Sequence, residues 1–138
     1  MNPLTNFIAL VARILLAYLF VQAGISKIGG IEHTATNIAS HGLPIPNVLA
    51  WCAVVLEVGG GLALAAGLLA RWAALALAAY TLALALIFHP YWLAAAAQAD
   101  AQRGVFYNHM SIVGGMLAIT AFGAGCFSLD ALISSRRA

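Results

Sequence analysis

Four long apolar runs follow one another along the chain, each closed by glycine, proline or a cluster of polar residues. The first runs from about Pro3 to Ser26 and is apolar from Phe7 to Ala23 apart from Arg13 and Gln22; Gly29-Gly30 ends it. The second runs from about Asn47 to Leu69, the third from about Arg71 to Leu93, and the fourth from about Phe106 to Leu129. Each holds the roughly 20 residues that a helix needs to cross a bilayer core. Pro3 suits a first helical turn, and Asn47 is a natural N-cap. Only Ala70-Arg71 separates the second and third runs, which makes them an antiparallel hairpin.

The stretch from Gly29 to Pro46 differs in kind. Glu32, His33, Thr34, Thr36, Asn37, Ser40 and His41 alternate there with Ile31, Ala35, Ile38 and Ala39 at helical spacing. This pattern predicts a short interfacial helix. Gly42-Leu43-Pro44-Ile45-Pro46 stops it, because each proline biases its predecessor away from helix. His89, Tyr91 and Trp92 flank Pro90 near the end of the third run, where aromatic rings suit headgroup depth. The loop from Ala94 to Val105 carries Gln98, Asp100, Gln102 and Arg103, and its alanine-rich start can extend the helix. Ser134-Ser135-Arg136-Arg137 forms a polar tail.

Composition narrows the class. The chain is 64% hydrophobic and 7% charged, with a mean hydropathy of +0.98. Soluble domains carry about 25% charged residues, and a water-soluble fold of this make-up could not coat its surface. The expectation is an all-α integral membrane protein, a four-helix transmembrane bundle forming one domain over 1–138. A net charge of +2 without a basic stripe excludes nucleic acid as a partner. The first twelve residues hold no Lys or Arg, and Arg13 interrupts the run, so the first segment reads as a retained helix and not a secretory signal.

Charge also predicts orientation. Arg71, Arg136 and Arg137 fall on the side of the termini, and Arg13 leans towards it, against Lys27 and Arg103 on the other. The positive-inside rule places both termini in the cytoplasm. The loop from Gly29 to Pro46 then faces outwards.

An ionisable residue within a span is a functional hypothesis by default. Arg13 and Glu57 are such residues. Counting about 1.5 Å of rise per residue puts them within a few ångströms of one depth, so they can pair. Three readings stand side by side: a polar site built on the pair, a self-neutralising pair that fixes helix register, and an Arg13 that snorkels alone to the headgroups. Glu57 is expected to face the bundle, because Ala50, Ala53, Val54, Gly60, Gly61 and Leu64 share its face. Small residues there admit a close neighbour. Arg13, Ala17, Phe20, Gly24 and Lys27 form one stripe on the first segment, with Gln22 almost opposite.

A second polar group gathers at the outer end. Lys27, His89, Asn108 and His109, with Ser26 and Tyr107 near, can converge around the mouth of a cavity floored by Glu57. Gly114-Gly115 permits close packing of the fourth segment. For His89 and His109 the plainer reading is contact with headgroups or backbone. His33, His41, His89 and His109 lack ligand spacing, so no metal is expected, and haem is only weakly indicated. Cys52 and Cys126 lie roughly 20 Å apart in depth, beyond disulfide reach, and read as buried, inert thiols.

Arg13-Ile14-Leu15 leading through Phe20-Val21-Gln22-Ala23-Gly24-Ile25-Ser26-Lys27 resembles the first-span signature of the DoxX family. Glu57-Val58-Gly59-Gly60-Gly61 followed by Gly67-Leu68-Leu69-Ala70-Arg71 resembles its second span, and Asn108-His109-Met110-Ser111-Ile112-Val113-Gly114-Gly115 its fourth. The family motifs map onto Arg13, Gly24, Lys27, Glu57, Gly60 and Asn108. Tyr107 departs from the pattern, since a basic residue often stands before the asparagine. The resemblance implies a four-helix bacterial inner-membrane protein. The family is named for a subunit linked to a terminal quinol oxidase, and relatives are tied to thiosulfate–quinone electron transfer or redox-stress complexes.

Three functions are therefore expected in order. The first is a small subunit of a redox-linked system that binds a quinone or similar lipophilic ligand through Arg13, Lys27, Glu57, Asn108 and His109. The second is a scaffold for a membrane or periplasmic redox partner or for a homo-oligomer, with Gly24, Gly60, Gly61, Gly114 and Gly115 as helix-packing positions. The third is transport of a small solute or proton, for which four spans are few and no inverted repeat is visible.

Overall fold

The structure, a computed structural model, describes residues 2–136; Arg137, one of the charges used for orientation, lies outside them. Every regular element among these residues is helical: α1 (Pro3–Gly29), α2 (Ile31–Ser40), α3 (Pro46–Ala66), α4 (Ala70–Phe88), a 3-10 turn (Tyr91–Leu93), α5 (Ala96–Phe122) and α6 (Leu129–Ser135). Four of them, α1, α3, α4 and α5, are long and apolar enough to span a membrane. The all-α, four-span expectation is met, including the short amphipathic helix after the first span.

Local chemistry sets the boundaries. Asn2 caps α1 by accepting from the Thr5 N–H (2.8 Å), with Pro3 opening the helix. At α3 the cap expected from Asn47 does not form. The helix starts one residue earlier on Pro46, with Ile45 before it in the left-handed region (φ 45°) and no side-chain cap. The end of α3 is a Schellman turn on Gly67 (φ 69°): Gly67 N–H donates to the Leu64 carbonyl and Leu68 N–H to that of Ala63. This turn ends α3 three residues short of the expected Leu69.

The third span, α4, stops at Phe88, before Pro90, and the 3-10 turn takes up the residues expected to continue it. The fourth span also differs from expectation. It begins at Ala96, ten residues before Phe106, and ends at Phe122, not Leu129. Alanine, glutamine and arginine are good helix formers, and Arg103 stabilises the added turns through Asp100 (3.3 Å) and the Tyr91 ring (5.5 Å). Gly123 (φ 84°) and Gly125 (φ 77°) then bend the chain, and α6 follows as a separate helix.

Helix α1 packs chiefly on α3 and α4 on α5, with α3 against α4 joining the two pairs. Small residues line the seams: Ala17, Ala50, Ala70, Ala74, Ala78 and Ala85 are buried. An alanine methyl at Gly24 would fall 2.6 Å from Val58 Cγ2, and one at Gly61 would fall 2.8 Å from Val21 Cγ2. These contacts fix the α1–α3 register, with Gly24 beside Glu57 and Val58 and Gly61 beside Ala17 and Val21. Leu15, Tyr18, Val55, Leu62, Trp72 and Phe122 stay exposed, as an apolar solvent requires.

Helix α2 folds over one end of the bundle, burying Ala35 and Ile38 on Ala50 with Leu43, Leu49 and Phe88 around them. The opposite end carries both chain ends and the α3–α4 turn. There Asp130 accepts from the Leu69 and Ala70 N–H groups (2.8 and 2.9 Å) at the start of α4. Asn6 Oδ1 accepts from the Cys126 N–H (3.0 Å), tying α1 to the α5–α6 connection.

Candidate functional site

Glu57 is carried into the bundle by its helical face and is 2% exposed. A lone carboxylate there would be costly to hold. Lys27 Nζ donates to both its oxygens at 2.8 Å, and the Tyr80 hydroxyl donates to Oε1 at 2.7 Å. Three helices, α1, α3 and α4, thus meet at one carboxylate. Lys27 stands one turn beyond Gly24 on the same stripe, so its chain needs only to lie back along α1 to reach Glu57.

Arg13 does not join this group. It is buried and donates to the carbonyls of Ala124 (2.6 Å), Phe127 (2.7 Å) and Ala65 (3.2 Å), while its Nε–H has no partner among the described residues. Ala65 lies in the last turn of α3, where carbonyls lack intrahelical partners and a cation is favoured. Arg13 therefore closes the terminal end of the bundle. The expected Arg13–Glu57 level does not exist, and neither does a snorkelling Arg13. Eleven residues separate Arg13 from Gly24, roughly 16 Å along α1, which is too far for a contact.

A cavity of about 590 Å³ lies beside the Lys27–Glu57–Tyr80 group. Leu49, Cys52, Ala53 and Leu56 of α3 and Ala83, Leu84, Ile87 and Phe88 of α4 form its apolar walls. Lys27 and Tyr80 reach it, while Glu57 sits behind them. Thr34, Asn37, Ile38 and His41 from α2 and its end, with Leu43, His89 and Gln102, complete the lining. His89 Nδ1 donates to Gln102 Oε1 at 2.8 Å, which holds both at the wall. The size and the few convergent polar groups are those of a small-molecule site.

The structure brings together Lys27, Glu57 and His89 of the residues singled out from sequence. Asn108 is exposed and does not line the cavity. His109 Nδ1 donates to the Val105 carbonyl one turn back (2.8 Å), and its ring lies 5.1 Å from that of His89, outside the lining. The outer group expected from Lys27, Asn108 and His109 thus separates. Gly24, Gly60, Gly61 and Gly115 are close-packed, Gly60 against Leu77 and Gly115 against Leu16. Gly114 is not: a Cβ there would meet nothing within 4 Å. Cys52 and Cys126, expected buried, are both exposed.

Sequence reasoning missed Tyr80, Asn37, His41 and Gln102. Tyr80 had a signal, a phenol in the middle of an otherwise aliphatic run, since a buried hydroxyl needs a partner. The α2 residues had none, because their side is set by how α2 folds back.

These features define a small four-span membrane protein with an interior ion pair beside an apolar cavity. The chain belongs to the DoxX family, whose profile matches residues 8–90. It is similar to two inner membrane proteins of Escherichia coli (strain K12). YqjF is 34% identical over 136 residues, covering 99% of both chains. YphA is 34% identical over 121 residues, covering 88% of this chain and 86% of its own. No solved structure matches the chain significantly.

Proposed function

We propose that this inner membrane protein binds a small lipophilic molecule in the cavity between α2, α3 and α4, with Lys27, held by Glu57 and Tyr80, as its polar floor. The observation that supports this most is the meeting of an apolar space of about 590 Å³ with one ammonium group on its wall. Lys27 spends two of its three N–H groups on Glu57 and is 27% exposed, so one donor remains for a ligand oxygen. A quinone carbonyl fits this donor, and the family resemblance makes a quinone the first ligand to test. A place in a redox-linked system, with a membrane or periplasmic partner, rests on that resemblance. The termini are proposed to be cytoplasmic, from the Arg71 and Arg136 bias.

Titrating the nanodisc-embedded protein with a short-chain benzoquinone, with empty nanodiscs as the partition blank, tests the reading. Saturable binding that Ala53→Phe abolishes is expected. Uptake no greater than that of empty nanodiscs rules out the quinone, and the same result with a lipophilic phenol sinks the reading.

The scaffold reading draws support from Gly114, a small residue on an uncovered stretch of α5. Under it, Gly114→Leu removes a partner or a second copy while leaving the monomer folded. Transport draws less support, because Arg13 and its three carbonyls occupy the bundle at the terminal end.

A further inference from the structure

Lys27 Nζ and the Tyr80 hydroxyl both contact Glu57 Oε1. Their bonds of 2.8 and 2.7 Å keep the two atoms within about 5.5 Å of each other. Both residues also line the cavity, whereas the carboxylate lies behind them. The two leave complementary groups. Lys27 has one N–H to give after serving both Glu57 oxygens. The Tyr80 oxygen has given its hydrogen to Glu57 and keeps its lone pairs as acceptors. The floor thus presents one donor and one acceptor close together. It carries no net charge, because the ammonium is neutralised by the carboxylate.

We infer that the cavity selects a neutral lipophilic molecule bearing a hydroxyl group, a phenol or an alcohol, seated on Lys27 and Tyr80. The hydroxyl oxygen accepts from Lys27 Nζ and its hydrogen goes to the Tyr80 oxygen. One oxygen about 2.8 Å from each atom spans the gap. A ligand that only accepts leaves the Tyr80 oxygen unanswered in an apolar space, which costs binding. An anion finds its charge opposed by Glu57 behind Lys27, and an apolar space penalises it further. This inference rests on the ligand-binding reading above and narrows its substrate class.

The test compares 4-nonylphenol with its O-methyl ether, titrated into the nanodisc-embedded protein with empty nanodiscs as the blank. The two share a skeleton and differ in that a methyl group replaces the one hydrogen that Tyr80 would accept. The phenol is expected to bind about tenfold more tightly. In Tyr80→Phe, which keeps the ring and removes the acceptor, the two compounds should bind alike. Because the readout is a ratio on one preparation, a reduced folded fraction cancels. Equal binding of phenol and ether to the unsubstituted protein overturns the inference but leaves ligand binding standing. A phenol preference that persists in Tyr80→Phe overturns it too, by placing the acceptor elsewhere. If neither compound nor the benzoquinone binds saturably, both the inference and the reading beneath it fall.

Discussion

Lys27 Nζ lies 2.8 Å from each carboxylate oxygen of Glu57, joining α1 to α3 inside the bundle. Glu57 is 2% exposed and Lys27 27%, so solvent screens the pair little. Removing one partner strands the other charge. Lys27→Met is expected to cost about 3–5 kcal/mol of stability. The double variant Lys27→Met/Glu57→Gln, which removes both charges, should recover part of that loss. Unfolding in detergent, followed by circular dichroism, measures both. A double variant less stable than Lys27→Met alone would show that the charges are not paired in the folded protein.

Arg13 acts at the other end. Arg13→Met leaves the carbonyls of Ala65, Ala124 and Phe127 without this donor. The connection from Gly123 to Ser128 should then open more often, at a cost of about 1–3 kcal/mol per stranded buried group. Hydrogen exchange should rise over residues 123–130 and not over α2. Ligand binding should survive, since the cavity lies roughly 16 Å along α1 from Arg13. Faster exchange confined to the α2 end would contradict the assignment of Arg13 to the terminal end.

The glycines divide into two kinds. Gly24→Ala drives a methyl to 2.6 Å from Val58 Cγ2 and 3.2 Å from the Val58 nitrogen, so α1 and α3 must part. About 1–3 kcal/mol of destabilisation is expected. Gly114→Ala meets nothing within 4 Å and should stabilise the isolated protein by up to about 1 kcal/mol through helix propensity. Melting temperatures of the two variants in one detergent separate these outcomes. Equal losses at both positions would place an unseen neighbour against Gly114.

Orientation has a direct readout. In intact cells, a membrane-impermeant maleimide should label a cysteine placed at the exposed His33 position of α2. The exposed Cys126, at the terminal end, should react only after permeabilisation. The reverse pattern would turn the protein over.

The four spans were legible because apolar length and proline are local signals: Pro3 and Pro46 each open a helix where they stand. The amphipathic α2 was legible from the helical spacing of Ile31, Ala35, Ile38 and Ala39, of which the fold buries Ala35 and Ile38. The pairing of charges was not. It depends on the α1–α3 register, which follows from Gly24 meeting Val58 and from Gly67 ending α3 at the level of Arg13. Counting residues from nominal span ends put Arg13 and Glu57 together and left Lys27 at the mouth. Arg13 is satisfied by backbone carbonyls, which any residue supplies and no sequence announces. The fourth span misled for a related reason. Its polar first turns, with Asp100 and Arg103, read as loop although they are helical.

The central claim is that the space beside Lys27, Glu57 and Tyr80 holds a lipophilic molecule. Mass spectrometry of small molecules retained by the protein, purified gently from the membrane in which it was made, tests this most directly. The comparison is with Ala53→Phe, which fills the wall of the cavity. The account predicts one neutral lipophilic compound in near-stoichiometric amount with the unsubstituted protein and its loss from Ala53→Phe. The same lipids in both, with nothing enriched by the unsubstituted protein, would contradict it.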